Sequence, residues 1–299
     1  MNTTIDGGRK YFSPTVGFLF ALSIVVVLFG PSLVSLARFA WQNDLYSYVF
    51  IVPPVSFYLW FIQKRPPLEE AGYSRWVGVM LCAIGAVALL GYGLAASSGS
   101  PFSTQDSIAI TTLSFVALVA GVCVLLLDTG QFRRIIFPLA FLAFMAPLPM
   151  AVEAGLEHFL QHGSAPPTSF LFYLAGTPVY RHDLVFELPG ISIQIAPECS
   201  GIRSTLVLFM ASLIAGHLFL RSPWKRSILA AVVVPLALVR NGFRIFTIGE
   251  LCVHVGPHMI DSDIHHKGGS IFFALSLAPF FLVLFLLVRS ERAPKRIAP

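Results

Sequence analysis

Long apolar runs constrain this chain more than any other feature of its sequence. Eight of them approach or reach the length of about 17–25 residues that a helix needs to cross a bilayer. They cover residues 14–36, 45–62, 76–96, 107–127, 132–149, 202–220, 226–248 and 269–288. We therefore predict an all-α polytopic membrane protein with about eight transmembrane helices, built as one integral-membrane domain over residues 1–299.

The composition excludes the other main classes of protein. Only 12% of the 299 residues are charged, which is about half the share in an ordinary soluble domain, and the mean hydropathy is +0.78. This balance excludes a soluble enzyme, a disordered chain and a nucleic-acid-binding domain. The net charge of +5 then reflects loops at a membrane surface rather than a nucleic-acid partner.

The distribution of lysine and arginine predicts the orientation. If the N-terminus is cytoplasmic, 14 of the 20 lysines and arginines fall in cytoplasmic segments, as the positive-inside rule requires. The other six are Arg38, Arg181, Arg203, Arg240, Arg244 and Lys267. We predict that both termini are cytoplasmic, which leaves residues 150–201 on the extracytoplasmic side as the longest segment outside the membrane.

This extracytoplasmic segment is expected to contain two structured parts. Residues 151–162 could form a short helix at the membrane interface. Residues 179–195 alternate apolar and polar side chains on both sides of Pro189 and Gly190, a pattern typical of a small β-hairpin. A hairpin immediately before the sixth span would hold the residues between them rigidly.

Cys199 is the first candidate for chemistry, because it lies where the sixth span begins. A helix N-terminus and nearby arginines favour the thiolate, which is the nucleophilic form of cysteine. Pro197 fixes the path of the chain, and Gly201 leaves space beside the sulfur. A lone cysteine is otherwise a small buried apolar residue, as we predict for Cys82 and Cys123, but the polar surroundings of Cys199 favour a nucleophile.

Two arginines lie late in the seventh span. Arg240 and Arg244 are four residues apart, on one helix face, and Asn241 lies between them. Ionisable groups inside a membrane are costly and usually functional, although long basic side chains also anchor helices by reaching the interface. Arg203, at the start of the sixth span, is either such an anchor or part of the same site.

The loop between the last two spans is rich in ionisable residues. Its histidines and aspartates are His254, His258, Asp261, Asp263, His265 and His266. Their irregular spacing matches no familiar zinc signature, so we predict no metal and no other cofactor. A general acid or base role for one histidine is favoured, since imidazole changes charge near neutral pH.

Cysteine, arginine and histidine thus come from three regions to one side of the membrane. This set suits thiol acyl transfer, in which a thiolate attacks a peptide carbonyl, arginine stabilises the oxyanion and histidine protonates the leaving amine. Two alternatives stay open. One is an anion transporter or channel that uses Arg240 and Arg244, and the other is a metal-dependent membrane hydrolase built on the loop histidines.

Three sequence blocks resemble those of the exosortase/archaeosortase family of membrane-embedded cysteine transpeptidases. They are APECSGIRS around Cys199, RNGFRI over residues 240–245 and HHKGGSIFF over residues 265–273. The family also has about eight spans, so the resemblance extends loosely over the whole chain. It implies that Cys199 forms an acyl-thioester with the substrate.

The resemblance also implies roles for other residues. The family arginine in an Asn-x-x-Arg pattern falls on Arg244, whereas related members have it directly before the asparagine, at Arg240. The family histidine, four residues before a glycine and eight before a phenylalanine, falls on His265. The residues expected to bind substrate or support the site are Glu198, Ser200, Gly201, Arg203, Asn241 and His266.

Family substrates are exported precursor proteins anchored by a C-terminal tail, which consists of a Pro-Glu-Pro-like (PEP-CTERM) motif, an apolar span and a basic cluster. The resemblance implies that such tails are cleaved beside the motif and that the product passes to a surface acceptor, often alongside exopolysaccharide production. It further implies a location in the bacterial inner membrane with the active site on the periplasmic side. The expected partners are these precursors and the lipid bilayer, with no nucleic acid.

Overall fold

The computed structural model describes residues 14–62, 75–99, 102–127, 129–261 and 269–292. The chain is mostly helical, at 84%, and divides into two compact units, Met1–Met150 and Ala151–Pro299. Within the described residues, six helical segments are long and apolar enough to cross a membrane, or up to eight if two bent pairs of helices each count as one span. The predicted mostly helical architecture with several candidate spans is therefore confirmed, while the number of eight spans and the orientation of the termini stay predictions.

The first unit contains six α-helices and two 3-10 turns among its described residues. The helices are α1 (Pro14–Leu28), α2 (Gly30–Gln42), α3 (Val52–Ile62), α4 (Arg75–Ser97), α5 (Thr104–Leu126) and α6 (Thr129–Phe141). The turns are Asp44–Phe50 and Leu142–Met145. The most buried of these helices is α5, which starts at a Ser103 side chain that accepts a hydrogen bond from the Asp106 backbone N–H.

The second unit combines helices with the one sheet found in the described part of the chain. It runs through α7 (Met150–Ala175), β1 (Tyr180–His182), β2 (Val185–Leu188), β3 (Ile191–Gln194), a 3-10 turn (Pro197–Cys199), α8 (Ile202–Phe219), α9 (Pro223–His254), a second 3-10 turn (Pro257–Asp261) and α10 (Gly269–Arg292). The sheet is antiparallel with the order β1-β2-β3.

The inner face of this sheet forms the core beside the candidate site. Side chains alternate along β2 and β3, so that Phe186 and Ile193 are buried while Glu187 and Ser192 are exposed. The buried side chains pack against α7 and α9 in one apolar cluster. Its members include Phe172, Phe186, Leu188, Ile193, Ile195, Ile245, Ile248 and Cys252.

The predicted hairpin is confirmed by β2 and β3, which pair across the Pro189–Gly190 turn. Gly190 has a φ of +81°, a conformation that glycine adopts without steric cost. The structure adds β1, which the sequence did not predict. All three residues of β1 are exposed, so the strand has no alternation of apolar and polar residues from which it could be predicted.

Two predicted spans differ from the observed helices. The span expected over 14–36 is broken at Phe29, where α1 and α2 meet at a bend of 60°, beside Pro31 in the first turn of α2. The span expected over 132–149 ends early, since α6 stops at Phe141 and a 3-10 turn follows.

The interfacial helix expected over 151–162 is longer than predicted. It is the first half of α7, a helix of 26 residues that continues through Pro166 and Pro167. Next to these prolines the hydroxyl groups of Thr168 and Ser169 donate to backbone carbonyls one turn earlier, at 2.8 and 3.1 Å. These bonds add to the helix at Ser164 and Ala165, but they do not replace the two that the missing N–H groups of Pro166 and Pro167 would have made to the carbonyls of residues 162 and 163.

Candidate active site

The candidate nucleophile lies in a short turn between the sheet and α8. After β3 the chain forms the 3-10 turn Pro197–Cys199, in which the Cys199 N–H donates to the Ala196 carbonyl at 2.9 Å. The Ser200 N–H likewise donates to the Pro197 carbonyl at 2.9 Å. Cys199 is 9% exposed, so its thiol is held at the end of the sheet and mostly shielded from solvent.

Gly201 joins this turn to α8 and requires the absence of a side chain. Its φ is +73° at the N-cap of α8, a left-handed conformation that strains other residues. A Cβ atom here would lie 3.0 Å from Nη2 of Arg240 and 3.3 Å from Oδ1 of Asn241. The sequence predicted space at Gly201, and the structure shows that the arginine and the asparagine occupy it.

Arg240 ties α9 to the beginning of α8. Its side chain is buried, with 8% exposure, and Nη2 donates to the Gly201 carbonyl and to Oγ1 of Thr205, both at 3.2 Å. Within the described residues its buried Nη1 has no hydrogen-bond partner. Arg240 therefore contacts the backbone two residues after the candidate nucleophile.

Arg244, one turn further along α9, has a different environment. Its half-buried side chain and the Cys199 side chain both line a cavity of about 160 Å³. Among the described residues, the lining consists of Ile193, Gln194, Ile195, Ala196, Cys199, Arg244, Ile245, Ile248 and Ile260. The cavity thus combines one thiol and one cation with walls that are mainly aliphatic.

Polar contacts with α7 fix the position of α9. Nδ2 of Asn241 donates to Oγ of Ser164 at 3.1 Å, and both side chains are buried. At Gly242 a Cβ atom would come within 2.9 Å of Pro167, so the two helices touch closely here. Because Asn241 and Gly242 follow Arg240 directly, these contacts also fix the position of the Arg240 backbone.

A further contact joins α7 to the end of the sheet. Nε2 of Gln161 donates to the Ile195 carbonyl at 3.1 Å, and this bond is buried. Gln161, Ser164 and Thr205 all support the site, but the sequence analysis did not single them out. The available signal was the pair of polar residues three apart, Gln161 and Ser164, on a helix that also carries buried apolar side chains.

Most of the predicted site residues come together around the start of α8. Those that do so are Cys199, Ser200, Gly201, Arg240, Asn241 and Arg244. Arg203 is exposed on the first turn of α8. The Glu198 side chain and all of His265, His266 and Lys267 lie outside what the structure describes.

The described loop histidines are not part of this cavity lining. His254 is exposed, and its Nε2 lies 3.0 Å from Oε2 of Glu250, whose other oxygen accepts a hydrogen bond from Thr177. His258 is also exposed. Over the described ranges no three His, Cys, Asp or Glu side chains are arranged to hold a metal ion, and all four cysteines are thiols rather than disulfides.

Comparison with known proteins gives one family match. The family model described as transmembrane exosortase matches residues 41–282, which include every described residue of the site. Neither the curated proteins nor the solved structures gave a match.

Proposed function

Because the chain belongs to the transmembrane exosortase family, we propose that it is a cysteine transpeptidase that cleaves the C-terminal sorting signals of exported proteins. The family supports a membrane enzyme that processes sorting signals. The observation that carries the finer proposal is the cavity of about 160 Å³ that Cys199 and Arg244 line together. A nucleophile and a fixed cation beside one small cavity suit acyl transfer.

The reaction has two steps. In the first, the Cys199 thiolate attacks the carbonyl carbon of the scissile peptide bond, and collapse of the tetrahedral intermediate breaks the C–N bond. The upstream part of the substrate is left as an acyl-thioester, while the tail leaves as an amine that takes up one proton. In the second step, water, an amine or a lipid nucleophile attacks the thioester carbonyl, and the Cys199 thiol is released.

The two arginines have different roles in this proposal. Arg244 lines the cavity with Cys199, so we assign to it the stabilisation of the oxyanion that forms on the attacked carbonyl. Arg240 contacts the Gly201 carbonyl and Thr205, so we assign to it the positioning of the turn that carries Cys199. The reactive form of Cys199 in this proposal is the thiolate, which helix N-termini and neighbouring cations stabilise in general.

The remaining roles rest on the family resemblance. His265 is the proposed acid that protonates the leaving amine, with His266 beside it. Glu198, Ser200 and Arg203 are proposed to support the substrate near Cys199. The substrates are precursors held in the bacterial inner membrane by an apolar span, which can reach the enzyme by lateral diffusion, and the site is proposed to face the periplasm.

Expression of the full chain together with a tagged protein that carries a C-terminal sorting tail tests this proposal. We expect cleavage of the tail on a gel with the wild type, and uncleaved precursor with Cys199→Ser, Cys199→Ala and Arg244→Ala. Cys123→Ala is the matched control, because Cys123 is a buried thiol in α5 and should leave processing unchanged.

One result would favour the anion-transport alternative over acyl transfer by Cys199. If Cys199→Ser processes the tail normally at wild-type protein levels, the thiol is not the nucleophile. The two arginines would then have to be explained by anion binding instead.

A further inference from the structure

The outer edge of β3, beside the site, has backbone groups without a strand partner in the described part of the chain. In the order β1-β2-β3, β3 is the edge strand of the described sheet and pairs there with β2 alone. The Ile195 N–H donates to the Leu184 carbonyl at 3.0 Å, and hydrogen-bonded pairs alternate along an antiparallel ladder. The backbone groups of Ile193 therefore face β2, whereas those of Ser192 and Gln194 face outward.

This edge leads directly to the candidate nucleophile. Gln194 is the last residue of β3, and the chain then passes through Ile195 and Ala196 into the turn that ends at Cys199. Gln194, Ile195 and Ala196 line the same cavity as Cys199. The side chains of Ser192 and Gln194 are exposed and lie on the face of the sheet that is turned away from the core.

We infer that the substrate binds as an additional strand on the outer edge of β3, with one apolar side chain in the cavity beside Cys199. Its backbone would exchange hydrogen bonds with Ser192 and Gln194, and its scissile carbonyl would then reach the thiol. This inference rests on the proposed function and names how its substrate is held. Strand addition of this kind binds a peptide through main-chain bonds and selects it through pockets for alternate side chains.

The size and lining of the cavity define the side chain that fits. Cavities of about 150 Å³ lined by aliphatic side chains hold a molecule the size of benzene, and this cavity measures about 160 Å³. It therefore accommodates one aliphatic side chain of valine or leucine size. The aliphatic wall consists of Ile193, Ile195, Ala196, Ile245, Ile248 and Ile260.

A proline at position 194 separates main-chain binding from side-chain effects. The Gln194 N–H is not used in pairing with β2 and has no partner among the described residues, so Gln194→Pro removes a donor that is left for an incoming strand. We expect Gln194→Pro to process the tagged tail protein at least about tenfold more slowly than Gln194→Ala, since alanine keeps the N–H and proline does not. Equal rates for the two variants would overturn the inference.

The opposite edge of the sheet supplies the matched control. By the same alternation, Tyr180 and His182 face β2 and the Arg181 N–H faces outward from β1. Arg181→Pro therefore places a proline at the equivalent outer position of an edge strand that does not lead to Cys199. We expect wild-type processing, and a loss as large as that of Gln194→Pro would count against the inference.

A substrate-side experiment avoids any effect of the variants on folding. Synthetic tail peptides, each with one backbone amide replaced by an ester, are cleaved by the purified full chain in detergent. We expect slower cleavage, by about fivefold, at every second position upstream of the cleaved bond, because only alternate residues face β3. Equal effects at neighbouring positions would overturn strand addition.

The same assay distinguishes this inference from the proposed function. If Cys199→Ala still cleaves the unmodified peptide, the proposed function itself fails. If Cys199 is required but the ester effects do not alternate, only the strand inference fails.

Discussion

Replacing Gly201 with alanine tests whether the turn after Cys199 is held as the structure describes. Gly201 combines a φ of +73° with a close approach to Arg240. A new methyl group would lie 3.0 Å from Nη2 of Arg240, whereas attractive contacts between such atoms begin at about 3.5 Å. Arg240 has little freedom to retreat, because the same Nη2 donates two hydrogen bonds.

The cost has two parts. The left-handed conformation costs a residue with a side chain roughly 1–2 kcal/mol. Displacing Nη2 weakens hydrogen bonds from a charged donor, at a cost of about 1 kcal/mol or more. We therefore expect Gly201→Ala to lower the free energy of unfolding by about 2–3 kcal/mol, which corresponds to a fall in Tm of roughly 3–5 °C for a chain of this size.

The assay is thermal unfolding of the full chain in detergent, followed by circular dichroism, together with the processing gel. Gly216→Ala is the control, because Gly216 lies in the same helix and a Cβ there would meet Arg226 at an ordinary 3.5 Å. Alanine in a helix interior is favoured over glycine by up to about 1 kcal/mol, so we expect an unchanged or higher Tm. The reasoning is refuted if Gly201→Ala unfolds at the wild-type temperature and processes the tail at the wild-type rate.

Four further predictions follow from the site. Arg240→Lys should lower both Tm and the rate of processing, because lysine cannot reproduce the two hydrogen bonds to the start of α8. Arg244→Lys should lower the rate of processing and leave Tm unchanged. A loss of Tm for Arg244→Lys alone would reverse the assigned roles. Asn241→Leu should lower the free energy of unfolding by about 1 kcal/mol, measured by thermal unfolding, and no loss would contradict the buried bond to Ser164. Ile248→Ala should enlarge the cavity and lower the free energy of unfolding by about 2–4 kcal/mol. It should also raise the cleavage of tails that carry a larger apolar residue, relative to the wild-type tail. An unchanged preference between the two tails would argue that Ile248 does not form the wall of the substrate pocket. Treatment with a chelator should leave processing intact and alkylation of thiols should stop it, and the opposite result would favour the metal-dependent alternative.

The sequence predicted those parts of the fold that carry a clear periodicity. The alternation around Pro189 and Gly190 predicted the hairpin, because one face of it is buried against α7 and α9. The exposed strand β1 has no buried face, so no pattern marked it. The length of α7 was also missed, since Pro166 and Pro167 favour a helix end by their local effect, whereas in the folded chain this part of α7 packs closely against Gly242 of α9.

In the candidate site, too, neighbouring residues predict some features, whereas others depend on contacts between distant segments. The position of Cys199 before a helix could be predicted from neighbouring residues. The spacing of Arg240 and Arg244 placed them on one face of α9, but spacing cannot say which of them lines a cavity and which contacts the backbone of α8. That difference depends on contacts between segments about 40 residues apart, as in the bond from Arg240 to Gly201.

The 3-10 turn at Cys199 has an electrostatic consequence for the resting enzyme. The N–H groups of Cys199 and Ser200 already donate within the turn, so these two neutral amides are not available to a bound carbonyl. In the proposed reaction a cationic side chain therefore stabilises the oxyanion. Unlike an amide dipole, the guanidinium of Arg244 carries a full positive charge before any substrate arrives. In the proposed reaction the Cys199 thiolate balances this charge at first, and during the attack the negative charge moves from the sulfur to the substrate oxygen, so that Arg244 can stabilise both.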